Sequence, residues 1–435
     1  EEYRLKEIVD RVNTIGVGWL GLSLGCAECH SHKYDPISQR EFYQLFAFFN
    51  DADDVDVPVP QPDELQQQPK PPPIKAMTLA ARKKTRTSYV HLRGDYRSRG
   101  EDVQPGTPAV LPPLEPRGQV ADRLDLARWL VATDNPLTPR VAVNQLWQQL
   151  FGRGLVSSAD NFGVAGESPS HPELLDWLAH QYVHRRWSRK AMIRLIVTSA
   201  TYRQVSAQRP DLQQLDPENV LLARQARFRL DAENIRDVAL AAADTIERRI
   251  GGPSIRPPQP AYIASISRNT QWTVSTGPDL YRRGMYILLR RATPYPTLLT
   301  FDAPDSTAVC IRRERSNSPL QALTLLNDPV FFEAAQRLGG QLAADTTRSI
   351  DQRMVEGFRR CLGRDPKDEE LKRLRLFWED RLAAFQTQPE TAAKVLLPGK
   401  TTGTNAVEQA SAAEQAAWIL TARVLMNLDL FLTRE

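Results

Sequence analysis

The chain has 435 residues, 25% charged and 41% hydrophobic, an ordinary globular composition that excludes a disordered, collagen-like or coiled-coil chain and leaves room for two or three domains. Its 56 Lys and Arg against 52 Asp and Glu give a net charge of +4, too small and dispersed for a continuous phosphate-binding stripe, so nucleic acid is not an expected partner. No window approaches the roughly 18–20 apolar residues of a membrane span, and four Cys cannot staple a chain of this length. A start at Glu1, with no Met and no signal-like segment, gives the expectation of a processed or truncated product.

The first fifty residues read as helix, turn, helix. "YRLKEIVDRVNTIGVGWLGLSLG" repeats apolar residues at helical spacing. Ser38 then opens "SQREFYQLFAFFN", where Ser38 and Glu41 form a capping box and Phe42, Leu45, Phe46 and Phe49 share a face. Residues 51–75 combine an acidic run with a Pro-rich stretch and predict an extended linker or surface loop. "TSYVHLRGDY" alternates as a strand, with Arg93-Gly94-Asp95 taken as a turn. "ARKKTR" reads as a solvated helix end rather than a nucleic-acid patch, and "VQPGTPAVLPPLEPRG" has too much Pro for a regular element. From about Val120 the pattern is helical: "ADRLDLARWLVA", then Thr138 and Pro139 as cap and first residue of the next helix. Ser170 and Glu173 form a further capping box, Ser188 opens another helix, Pro217 starts a short one, and a long one covers "LDAENIRDVALAAADTIERRI". Residues 250–282 read as irregular and "GMYILLRR" as a buried strand. Ser318, Pro319 and Gln321 open a helical C-terminal third that breaks near "LLPGKTTGTN". The fold class is mainly α with a few short strands. The expected divisions are a small helical haem segment at 1–50, a connecting segment with a short strand at 51–118, and a larger multi-helix domain at 119–435.

The residues that carry chemistry are Cys26-Ala27-Glu28-Cys29-His30, the attachment signature of c-type haem. Two thiols three positions apart reach the two vinyl groups of one porphyrin, and the adjacent imidazole comes under the iron. Haem c is therefore the expected cofactor. A thioredoxin-like pair would need a βαβ setting that this helical context lacks. Zinc suits the Cys-x-x-Cys spacing and could add His30 or His32, but a fourth ligand at a usual spacing is missing. An inert thiol pair is the bland alternative. His32 sits too close in sequence to His30 to ligate the opposite haem face; it could bond a propionate or a carbonyl, or be a solvated surface residue. The distal ligand decides between electron transfer and an open catalytic site. His91, His171, His180, His184 and the five Met are candidates, with His180 and His184 read as a solvated helix face and Met192, Met354 and Met426 as core.

A second cluster precedes the helix at Pro319. Asp302, Asp305, Cys310, Arg312, Arg313, Arg315, Asn317 and Gln321 could bind an anionic or hydroxylated ligand. The competing reading, and the favoured one, is a salt-bridged loop that locks two elements together. Cys310 and Cys361 could pair in an oxidising compartment.

"WLGLSLGCAECHSHKYDPISQREFYQLFAFFN" resembles the end of the planctomycete-type cytochrome c domain, and "HLRGDYRSRGEDVQPGTPAVLPPL" the segment that follows it there. "RLDLARWLVATDNPLTPRVAVNQLWQQLFGRGLV", "NFGVAGESPSHPELLDWLA", "IVTSATYRQ" and "FDAPDSTAVCIRRERSNSPLQALTLLND" resemble the domain of unknown function that accompanies it. The likeness runs over nearly all of the chain. Family members carry more cytochrome-domain sequence ahead of the position of Glu1, so the resemblance implies a fragment. It also implies export, with a periplasmic or equivalent location, haem c at Cys26, Cys29 and His30, and redox work. His32, His91, His171 and Cys310 belong to the family pattern, which makes His91 and His171 the distal-side candidates.

The expected function is that of an exported c-type cytochrome-like protein. It would transfer electrons to or from a redox partner protein, or oxidise a small-molecule substrate such as a carbohydrate as a haem-c-dependent oxidoreductase. A non-catalytic exported binding or assembly protein with structural haem or zinc is the alternative.

Overall fold

The computed structural model describes residues 1–59, 75–260, 272–291, 293–396 and 406–434, the side chains of Gln213 and of 406–410 excepted. Helices dominate, with three pairs of short antiparallel strands among the described residues. The chain divides into two compact units, Glu1–Ala226 and Arg227–Glu435.

In the first unit, helix α1 (Glu2–Ile15) buries Leu5, Ile8 and Val12 on one stripe. It widens into a single π turn, Gly16–Leu20, that ends on left-handed Gly21, and a short 3-10 turn follows at Leu24–Glu28. Helix α2 (Gln39–Asn50) has the expected capping box: the Ser38 hydroxyl accepts from the Glu41 amide, and the Glu41 carboxylate accepts from the Ser38 amide at 2.7 Å. Tyr43 and Phe48 are buried along with the predicted face, so α2 is enclosed on nearly all sides. Each such aromatic side chain contributes about 1.5–3 kcal/mol by leaving water.

Strands β1 (Ala52–Pro58) and β2 (Lys75–Ala81) pair antiparallel, where the sequence predicted a linker; residues 60–74 lie outside the described residues. The acidic run alternates with Val55 and Val57, and its carboxylates find cations. Asp53 takes both Arg82 and Arg86, and Asp54 takes Arg11. "ARKKTR" is accordingly the end of β2 and the turn after it rather than a helix end. Strands β3 (Ser88–His91) and β4 (Arg99–Val103) form a second hairpin, and their Val90 and Val103 join the core of α1 and α2. Part of the presumed connecting segment is thus core of the first unit.

Asp122 caps helix α3 (Arg123–Leu130). Helix α4 (Thr138–Phe151) is capped by the Asn135 amide oxygen, which accepts from the backbone of Leu137 and Thr138, and not by Thr138, whose buried hydroxyl has no partner. The Ser170 hydroxyl donates to Leu155 O and is therefore not the expected cap of helix α5 (Pro172–His184). Ser188 does cap helix α6 (Arg189–Val197). Helix α3 adds Leu126, Trp129 and Leu130 to the core of α1 and α2, while α4, α5 and α6 share a second core around Leu146, Trp147 and Met192. The short helix near Pro217 precedes it, at Leu212–Leu215.

The second unit packs α7 (Ala232–Ala242), α8 (Pro319–Asn327), α9 (Pro329–Ala344), α10 (Ile350–Leu362), α11 (Asp368–Thr387) and α12 (Ala406–Met426) around Trp418, Phe331 and Leu338. Strand β5 (Phe228–Arg229) pairs with β6 (Thr433–Arg434), joining the two ends of the unit. "GMYILLRR" is a 3-10 turn, Gly284–Tyr286, followed by an isolated bridge of Ile287 to Ile255, and among the described residues no strand pairs with it. The expected break near "LLPGKTTGTN" falls on 397–405, outside the described residues.

Candidate functional site

The Cys26–His30 signature occupies the 3-10 turn and the bend after it. Leu24 and Ala27 are fully buried and hold the turn to the core, while Cys26, Cys29 and His30 face solvent. Two side chains of α2 fasten the segment. The Tyr43 hydroxyl donates to Glu28 O at 3.0 Å, and the Gln39 amide donates to Glu28 O at 2.9 Å and to His91 O at 3.0 Å. Burial raises the pKa of the Glu28 carboxyl, and burial together with the nearby Glu28 charge raises that of Tyr43. Gly94, in the turn between β3 and β4, has φ +77°, and a Cβ there would stand 2.8 Å from Cys29 Sγ. Glycine is needed at this position both for the conformation and for the approach of the sulfur.

His30 Nδ1 lies 2.7 Å from Ser31 O. A proton on Nδ1 makes that bond and leaves Nε2 as the unprotonated nitrogen. His32 is in a different state. Its Nδ1 accepts from the amides of Asp35 at 2.8 Å and Tyr34 at 3.3 Å, and its Nε2 lies 3.2 Å from the Ser23 hydroxyl. Both ring nitrogens therefore serve the fold of the loop, and the expected propionate contact has no free nitrogen to use. Since Nδ1 accepts, its 3.5 Å approach to the Asp35 carboxylate is not an ion pair.

Asp35 reaches further. Its Oδ1 accepts from the amide of Val164 at 2.7 Å, while Oδ2 is buried without a partner. Gly163 packs against the same carboxylate, so that a Cβ there would stand 2.5 Å from Oδ2 and 2.7 Å from Cγ. Phe162 N donates to Gly21 O at 2.6 Å. The loop at 158–167 thereby clasps the haem-signature region from both sides. In the sequence, Asp35 before Pro36 reads as no more than a turn, and the only signal of Gly163 is the string "NFGVAGE", which carries no chemistry.

His91 is buried, its ring 4.7 Å from that of Tyr43 and 5.5 Å from that of Phe46. Burial lowers its pKa, with Arg99 adding to the effect. His171 precedes α5 with Nδ1 3.0 Å from the Ser170 hydroxyl. Among the described residues no hydrogen bond or ring contact joins either to His30. His180 and His184 stack at 6.3 Å, and no group of three or more His, Cys, Asp or Glu among the described residues could hold a metal ion.

In the second unit the 302–315 loop pairs within the protein. Asp302 accepts from Arg229 at 2.6 Å and from Ser316, Arg313 pairs with Glu233 at 2.6 Å, and Arg315 lies 3.5 Å from Asp231. Among the described residues Asp305 bonds to Thr307, and the Cys310 thiol to Arg312 O. These bonds fit the locking reading: Arg313 and Arg315 tie the loop to α7 and its cap, and Asp302 ties it to Arg229 of β5. Cys310 and Cys361 are both free thiols.

Residues 122–378, more than half of the chain, match the model of the PSD1 family, described as a protein of unknown function (DUF1553). The chain belongs to the PSD1 family. Its first segment, residues 1–54, matches PSCyt2, also described as a protein of unknown function (DUF1549). This PSD1 protein therefore carries the planctomycete cytochrome c-associated pair of segments that its motifs resembled. No curated protein and no solved structure matches it. The PSCyt2 match contains the whole Cys26–His30 site, and the PSD1 match contains the clasping loop. No described helix is long and apolar enough to cross a membrane.

Proposed function

We propose that this PSD1 protein is an exported c-type cytochrome-like protein in which Cys26 and Cys29 hold haem c and His30 binds its iron. The observation that carries the reading is the placement of the signature: two thiols and an imidazole turned to solvent on one anchored turn, with His30 Nδ1 engaged by Ser31 O. A backbone partner on the far nitrogen is the usual way in which a metal-binding imidazole is oriented. The same placement favours haem over zinc. Zinc needs three or four side chains converging on one point, and none do so among the described residues. Haem asks only for separated sulfurs and one axial nitrogen.

Haem c supplies one-electron redox chemistry when bound. The chain's own residues position it. Ala27 pins the turn, Gln39 and Tyr43 hold Glu28 O, and Gly94 leaves room beside the Cys29 sulfur. Electrons pass to or from a redox partner protein, or, in the catalytic form of this reading, come from a bound substrate, with carbohydrate the class to assay first.

The test is maturation of the full chain in a host that attaches c-type haem, followed by intact mass and a reduced-minus-oxidised spectrum. The expected result is one covalent haem with sharp α and β bands, lost in Cys26→Ser/Cys29→Ser. His30→Ala keeps the thioethers and changes the spectrum. A bare polypeptide from a competent host overturns the proposal.

A further inference from the structure

The N-terminal end of α1, the C-terminal end of α2 and the β3–β4 hairpin surround a cavity of about 560 Å³. That volume lies within the range of small-molecule sites. Four guanidinium groups line it, those of Arg4, Arg86, Arg97 and Arg99, against a single lining carboxylate, Glu1. The pairings leave an excess. Arg4 is held by Glu1, Arg82 and Arg86 share Asp53, and Arg97 pairs with Asp95. Arg99 lies 4.9 Å over the face of Tyr89 and has no carboxylate within ion-pair distance among the described residues. Of the four lining cations, Arg99 thus has no carboxylate and Arg86 only one that it shares with Arg82. Phe46, Tyr89 and Tyr96 give the cavity apolar walls.

A guanidinium fork matches the geometry of a carboxylate, sulfate or phosphate group, and several forks in one concave site select for more than one such group. Aromatic walls accept the carbon frame between them. We propose that this cavity binds a small organic anion bearing two or more oxyanion groups, with Arg99 as its principal charged contact. The lining includes His91, a distal-side candidate of the haem reading, but none of Cys26–His30, and occupation of the cavity does not require haem. Failure of the haem reading, seen by mass and spectrum, is therefore separate from failure of this one.

Isothermal titration of the full chain with citrate, and with acetate as the singly charged control at matched ionic strength, tests it. Citrate is expected to bind at least about tenfold more tightly than acetate and to weaken as salt rises. Arg99→Gln should weaken citrate by about tenfold, the loss of one charge-assisted hydrogen bond, and Arg99→Glu should abolish it. Arg128→Glu, an equal change of charge on exposed α3, should leave the affinity unchanged. Citrate binding no tighter than acetate, an unaltered affinity in Arg99→Gln, or an equal loss in Arg128→Glu each overturns the proposal. Thermal melts that match wild type establish that the variants are folded.

Discussion

The contact between Gly163 and Asp35 makes a prediction whose size follows from the geometry. In Gly163→Ala the new methyl would stand 2.5 Å from Asp35 Oδ2 and 2.7 Å from Cγ, closer than any real Cβ contact. The backbone of Gly163 needs no left-handed angle, so the cost is purely that of crowding. Overpacking of this kind costs about 1–3 kcal/mol. If the carboxylate swings away it also gives up its bond to the Val164 amide, a charged hydrogen bond of about 1.5–3 kcal/mol. Since the molecule takes the cheaper of these, the expected loss is about 1–3 kcal/mol, read as the shift of the urea transition of the first unit by tryptophan fluorescence. The decisive measurement is the double variant. Asp35→Ala removes the obstacle, so Gly163→Ala in that background should cost less than about 0.5 kcal/mol. An equal cost in both backgrounds would refute the assignment of the clash.

Tyr43→Phe should cost about 1 kcal/mol in the same assay, because Gln39 still serves Glu28 O, whereas Gln39→Ala removes two bonds and should cost about 2 kcal/mol; reversed magnitudes would argue against this fastening. Glu370 is held at about 2, well below its ordinary 4.5, chiefly by its hydrogen bonds to Arg364. A lowered folded value stabilises above the unfolded one and is lost as pH falls through the folded one. Glu370→Gln should thus be less stable at pH 7 by about 1 kcal/mol or less, as the pair is partly exposed, and match wild type below pH 2. Burial pushes the Cys361 thiol up to about 12, so at pH 8 iodoacetamide should modify exposed Cys310 at least about tenfold faster than Cys361; equal rates, followed by peptide mass, would contradict the burial.

Local chemistry made much of this protein legible. The Ser38 and Ser188 caps and the turn at Arg93 and Gly94 were all read from residues within a few positions of one another, where hydrogen-bond geometry is nearly fixed by spacing. The misreadings arose where partners are distant. Strand β1 forms because β2 lies alongside it, and the Asp-rich run is tolerated because Arg11, Arg82 and Arg86 come to it. "GMYILLRR" had the composition of a strand and lacks a partner strand. The arginine-lined cavity draws on four separate segments, and no motif could announce it.

The bond from Val164 to Asp35 spans 129 residues of chain, and this bears on the order of events during biogenesis. A chain emerging N-terminus first presents its two cysteines long before the loop at 158–167 exists to bond Gly21 and Asp35 on either side of them. Contacts so remote in sequence form late in folding. On the haem-c reading proposed above, both sulfurs would therefore be open to attachment before the distant loop closes on Gly21 and Asp35.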